Sequence, residues 1–190
     1  MTENSYHPAI VNEGITLCFD TNAIYGKRTA LNFLIGIRDY FPNRRLIIPA
    51  WVIAERLRQL MVEYGSGFQF SKVRYFLEGL KKHKIEIVAF DIDVVFREEE
   101  IISDWLKVVG QFEDKEWDWE KRPLPQIRKD QPCAQRCRTG DHIVYAIALR
   151  HSALLVTKDD QLLNQILKDG VYPGAIHAEE LEKFIGYHIA

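Results

Sequence analysis

Leu17-Cys18-Phe19-Asp20-Thr21-Asn22 runs three apolar side chains straight into a carboxylate and two further hydrogen-bonding side chains. With the preceding Ile15 and Thr16 it makes a short apolar stretch containing β-branched residues, which predicts a strand buried on both faces. Strands of that kind sit in parallel sheets covered by helices, and the flanking sequence supplies the helices. Leu31, Leu34, Ile35 and Ile37 form an apolar stripe for a helix from about Ala30 to Tyr40, ended by Phe41-Pro42-Asn43. Leu46 to Ile48 reads as a second strand. Pro49 is then expected to open a helix near residues 50 to 63, buried through Val52, Ile53, Leu57, Leu60 and Met61 and broken at Gly65-Ser66-Gly67.

The alternation continues along the chain. A helix over Ser71 to Lys82 leads to a third strand, Ile85 to Val88, and Asp93 can cap a helix whose stripe is Val94, Val95, Ile101, Ile102, Trp105, Leu106 and Val109. Later come a helix from Asp141 to Arg150 with Ile143, Val144, Ile147 and Ala148 inward, a fourth strand at Ala153 to Val156, and a short helix from Asp160 to Leu167. A last strand near Ala175 to His177 and a helix from Ala178 to Ile185 close the pattern. Strands alternating with helices predict an α/β fold: a three-layer α/β/α arrangement around a short, mostly parallel sheet of four or five strands.

Length and composition fit one domain spanning 1–190. The 190 residues suffice for a full core and are 47% hydrophobic and 27% charged, which excludes a disordered or fibrous chain. A net charge of -2 excludes a broadly basic surface, so a nucleic-acid partner must be held by a local patch. Three cysteines, Cys18, Cys133 and Cys137, are an odd number and point to reduced thiols, with Cys18 a small core residue. No leader pattern and no long uncharged apolar run is seen, so the protein is expected to be soluble and cytoplasmic, without a membrane span.

Residues 111–138 break the periodicity. They hold three prolines and two tryptophans and read as an insertion or long charged loop within the domain. Residues 113–120 carry five acids and one lysine, whereas residues 121–138 carry six basic residues and one acid. Lys121, Arg122, Arg128 and Lys129 are therefore candidates to follow a phosphate backbone, with Trp117 or Trp119 stacking on an unpaired base. The competing reading is a solvated loop whose two halves pair with each other while the tryptophans pack on the domain. Cys133, Cys137 and His142 fall short of the four ligands that a structural zinc site needs. His151, at the end of an apolar helix stripe, reads as a packed or helix-terminal histidine.

In open parallel sheets, ligands gather outside the carboxyl ends of the strands, where the strand order reverses. Asp20 stands at such an end, and Leu154-Leu155-Val156 leads likewise into Thr157-Lys158-Asp159-Asp160. Either aspartate alone is as well explained by a loop or a helix cap. Two carboxylates delivered to one edge repel each other unless a cation lies between them. Glu55, near the start of the helix after the second strand, and Asp141, at the start of the helix before the fourth, fit the same edge. Alone, Glu55 reads as a solvated charge beside Arg58 or Gln59, and Asp141 as an acid suited to a helix N-terminus. Oxygen donors without histidine or cysteine suit Mg²⁺ or Mn²⁺ and not zinc.

The set LCFDTNAIYG, IPAWVIAERLRQL and TGDHIVYAIALRHSALLVTKDDQLL resembles the PIN domain family, metal-dependent ribonucleases that include toxins of toxin-antitoxin pairs. The resemblance covers residues 15 to about 167, apart from residues 65 to 138. It implies metal ligands at Asp20, Glu55, Asp141 and Asp159, with Thr21, Asn22 and Thr157 holding the carboxylates by hydrogen bonds. The Thr-x-Asp spacing favours Asp159 over Asp160 as the inward acid. The activity implied is hydrolysis of RNA phosphodiester bonds by a metal-activated water with Mg²⁺ or Mn²⁺, leaving a 5′ phosphate and a 3′ hydroxyl. Implied partners are an RNA substrate, an antitoxin protein and a second copy of the chain.

Two alternatives belong to other classes. A phosphatase resembling the haloacid dehalogenase superfamily would need a second carboxylate two residues after the first, where this chain has Asn22. A non-catalytic RNA-binding or partner-binding protein of the same fold would be favoured by loss of one of the four acids, and all are present. A dinucleotide-binding oxidoreductase lacks a G-x-G-x-x-G after the first strand.

Overall fold

The structure, a computed structural model, describes residues 6–24, 30–64, 70–89 and 139–186. The order is α1 (Pro8–Val11), β1 (Leu17–Phe19), α2 (Thr21–Ile24), α3 (Ala30–Tyr40), β2 (Leu46–Pro49), α4 (Ala50–Tyr64), α5 (Phe70–Lys82), β3 (Glu86–Val88), α6 (Thr139–Arg150), β4 (Leu154–Thr157), α7 (Asp160–Asp169), β5 (Ala175–His177) and α8 (Ala178–Phe184). The expected insertion at 111–138, with its tryptophans and basic residues, lies outside the described residues, as does the expected helix after Asp93.

The five strands form one sheet in the order β3-β2-β1-β4-β5, and every pairing is parallel. This is the α/β architecture that the alternation of strands and helices predicts. Leu17 stands opposite Leu46 on one side and Leu154 on the other, so the three central strands are in step. All of β1, β2 and β4 is buried, because helices cover both faces and no residue of a central strand has a solvent side. The outer strand β3 leaves Glu86 and Ile87 exposed.

Several local expectations shift. Pro49 ends β2 and does not open α4, since its carbonyl and ring suit a strand terminus where no ladder N–H is required. Residues Thr139 and Gly140 already belong to α6, which puts Asp141 in the first turn. The helix itself is more deeply sunk than a one-sided stripe predicts: Ile143 through Ala148, including Tyr145 and Ala146, are all buried. Two short elements, α1 and α2, carry too few residues to show a periodicity.

α7 illustrates how the chain turns back to the sheet. Leu162 and Ile166 face the core, Asp159 caps its N-terminus, and Gly170 ends it with a φ of 64°, a left-handed turn that favours glycine. At the other edge, Arg44 is 1% exposed and donates to the carbonyls of Ala9 (2.6 Å), Ile10 (2.6 Å) and Ile15 (2.7 Å), fastening the N-terminal segment to the start of β2. Its guanidinium also lies 4.8 Å from the centre of the Phe41 ring.

Candidate active site

The strand order turns back on itself between β1 and β4, with β2 and β3 on one side and β5 on the other. Asp20 follows β1 and Thr157 ends β4, so both stand at the carboxyl side of that reversal. Asp20 is 2% exposed. Its N–H donates to the Val156 carbonyl (3.0 Å), extending the ladder by one rung, and its own carbonyl accepts from Ala23 (3.1 Å) and Ile24 (3.4 Å), which starts α2. The strand therefore ends on Asp20 because the chain turns into a helix there.

Both carboxylate oxygens of Asp20 are held. The Thr157 hydroxyl, itself fully buried, donates to Oδ2 (2.8 Å), and the Thr21 N–H donates to Oδ1 (2.6 Å). The Thr21 hydroxyl turns the other way and donates to Oε2 of Glu55, which sits half-buried in the second turn of α4. Thr157 also accepts from the Asp159 N–H (3.0 Å), so one hydroxyl links the ends of β1 and β4.

The electrostatics follow from this crowding. Burial pushes the Asp20 carboxyl up from 3.8 to about 7; the Thr157 hydroxyl opposes the rise, Asp141 adds to it, the Thr21 N–H opposes it and Glu55 adds to it. Asp141 on α6 and Glu55 on α4 thus both act on Asp20 at the carboxyl edge of the sheet. Burial, helped by the nearby Asp20 charge, raises the Cys18 thiol as well, so that cysteine is an unreactive core residue.

Asp159 is used differently. Its Oδ1 accepts from the N–H groups of Gln161 (2.8 Å) and Leu162 (3.1 Å), and this carboxylate caps α7. It is half-buried, whereas Asp160 is exposed. Asn22 is half-buried in α2. Among the described residues no three Asp, Glu, His or Cys side chains are gathered into a ready-made metal cage. Mg²⁺ does not require one, because it keeps several waters and is held by one or two carboxylates. A carboxyl pushed toward protonation by burial and by two more acids is chemically suited to such an ion.

Two residues at this edge escaped attention in the sequence. Trp51, in the first turn of α4, is 38% exposed and stands four residues before Glu55. Lys158, directly after β4, has its Nζ 3.8 Å from Oε1 of the partly buried Glu182. The signal for both was their position beside a strand end. His151 lies instead at the opposite edge, with Nδ1 3.5 Å from Arg45, whose guanidinium pairs with Glu86 at the start of β3.

No family model and no curated protein matches the sequence. Among solved structures the chain is similar to VapBC2 from Rickettsia felis, solved bound to a DNA fragment from their promoter. The identity is 15% and the TM-score 0.49, over 86% of this chain and 97% of that one. It is also similar to a PilT N-terminus domain protein from the hyperthermophilic archaeon Sulfolobus solfataricus, at 14% identity and a TM-score of 0.45, over 93% of this chain and 98% of that one. Both are distant likenesses of overall fold. Among the described residues no helix is long and apolar enough to cross a membrane.

Proposed function

We propose that the chain is a PIN-type endoribonuclease, dependent on Mg²⁺ or Mn²⁺, that hydrolyses phosphodiester bonds of single-stranded RNA. The observation that carries this reading is Asp20: a carboxyl buried at the reversal of the sheet, held by two donors and raised further by the charges of Asp141 and Glu55. A folded chain keeps such a repulsive arrangement where a cation offsets it. Asp20, Glu55 and Asp141 would hold the ion, with Asp159 as a fourth acid acting directly or through water. When bound, the ion acidifies water and offsets the negative charge that grows on the phosphodiester oxygens.

The chain's own residues prepare the edge. Thr157 and the Thr21 N–H fix the two oxygens of Asp20, so its lone pairs point in set directions. The Thr21 hydroxyl does the same for Glu55. Through Thr157, the end of β4 is tied to the end of β1, which keeps the edge from opening when a charged ligand arrives.

The family resemblance also supplies the protein partners of this reading: an antitoxin and a second copy of the chain. A small open reading frame directly upstream and overlapping would support the toxin assignment. The decisive biochemical test is cleavage of labelled single-stranded RNA with Mg²⁺, Mn²⁺ and EDTA. Asp20→Asn keeps the shape and removes the charge, so it is expected to lose cleavage by orders of magnitude with an unchanged circular dichroism spectrum. Full activity in that variant, or in EDTA, would overturn the reading.

A further inference from the structure

The acidic edge raises a problem of affinity. Asp20, Glu55, Asp141 and the exposed Asp160 all bring negative charge to the place where a polyanion would have to lie, and the chain as a whole carries -2. A contact that does not depend on charge would add affinity there without adding to that repulsion. Trp51 is the one tryptophan among the described residues, and it stands at this edge.

Its placement follows from helix geometry. Positions 51 and 55 are four apart on α4, so their side chains are neighbours on one face, with Cβ atoms roughly 6 Å apart. Helix side chains lean toward the N-terminus. The N-terminus of α4 follows the last residue of β2, so the indole leans toward the carboxyl edge of the sheet where Asp20 lies. Val52 is fully buried and Ile53 nearly so, which anchors this turn to the core. Trp51 itself is 38% exposed, so its ring is open to a second flat ring from solvent. An indole has only two side-chain torsions, so it loses little freedom when a second flat ring stacks on it.

We propose that Trp51 is a substrate-positioning residue: its indole stacks on an unpaired base of single-stranded RNA and sets the nucleotide whose phosphate reaches Asp20 and Glu55. This inference rests on the reading of the acidic edge as a site for RNA. One turn of α4 separates the stacking position from Glu55, a span comparable with the reach from a base to its own phosphate. The chain therefore uses neutral stacking for affinity and its carboxylates for the cation, and the two do not compete.

The test is a cycle between protein and RNA. Binding of a fluorescein-labelled short oligoadenylate, and of the same strand carrying one abasic site at each position in turn, is followed by anisotropy with Mg²⁺ present on the time scale before cleavage. For the wild type, one abasic position is expected to weaken binding by roughly 5- to 150-fold, the range for a single stacked base. In Trp51→Ala that penalty should vanish while overall binding falls by a similar factor, and Trp51→Phe should restore most of both. In cleavage assays Trp51→Ala should raise KM with little change in kcat. An abasic penalty undiminished in Trp51→Ala, or no binding of RNA by the wild type, overturns the proposal. Loss of the penalty in a protein that binds RNA but never cleaves it would sink the nuclease reading and leave the stacking assignment standing.

Discussion

The two edges of the sheet solve the problem of buried charge in opposite ways. At the amino edge, Arg44 is as buried as Asp20, and burial lowers its guanidinium to about 10. Three backbone carbonyls and an aromatic face surround it, so its donors are met by fixed dipoles belonging to the fold. Arg38 works alongside, donating to the carbonyls of Phe41, Pro42, His83, Lys84 and Arg44. At the carboxyl edge, Asp20 has two donors and then meets the charges of Asp141 and Glu55. One edge meets its buried charge with fixed dipoles of the chain. At the other, Asp141 and Glu55 push the Asp20 carboxyl further above its ordinary range, and a buried carboxyl perturbed in this way is where a ligand is expected.

This contrast can be broken first at Arg44. Arg44→Ala strips donors from three carbonyls at least partly buried and should cost about 3–5 kcal/mol in urea unfolding, with no dependence on added Mg²⁺. A loss below about 1 kcal/mol would mean that water replaces the guanidinium and that the amino edge is not closed.

The carboxyl edge should respond to pH. Asp20 in the metal-free fold titrates near 7 and in the unfolded chain near 3.8, so the native state holds the extra proton between those values. Its contribution is intact below about pH 4 and is lost as pH rises toward 7, by about 4 kcal/mol in order of magnitude. Chemical denaturation in EDTA at pH 4.5 to 8, compared between wild type and Asp20→Asn, should show a falling difference that the variant flattens. A wild-type profile parallel to the variant's would remove the perturbed carboxyl from the comparison.

A smaller effect comes from the ion. At a hundred times its Kd, Mg²⁺ should stabilise the wild type at pH 8 by about 2.7 kcal/mol, and Asp20→Asn should lose most of that gain. Equal stabilisation of both proteins would place the ion elsewhere. The smallest effect belongs to Arg45, whose pairing with Glu86 at 2.7 Å is 43% and 52% exposed, so Arg45→Ala should change stability by less than about 1 kcal/mol.

Arg44 and Arg45 show where the sequence stops being readable. The two residues are identical and adjacent, yet one is 1% exposed and the other is exposed on the surface. Their burial depends on how α1 packs over the start of β2, and nothing local encodes it. The same holds for α6, where an apolar stripe was visible but burial from Ile143 through Ala148 was not. By contrast, β1, β2 and β4 were visible as short apolar runs, since a strand covered on both faces must be apolar along its whole length. Of the candidate acids, the sequence marked the residue types and the strand ends. A helix cap was among its readings of the aspartate after β4, and Asp159 does cap α7, but nothing marked that the Thr21 hydroxyl reaches Glu55 while its N–H holds Asp20.

By itself the sequence determined the alternation of buried strands and helices, and the carboxylates that follow them, because apolar runs and the polar residues that end them are local patterns. Only the tertiary structure decided that β4 lies beside β1, so that Thr157 donates to a carboxylate 137 residues away, and that the charges of residues 55 and 141 bear on residue 20. The reason is physical. Hydrophobicity is a property of each side chain, whereas Coulomb and hydrogen-bond energies belong to pairs and take their value from a distance that the chain acquires only on folding.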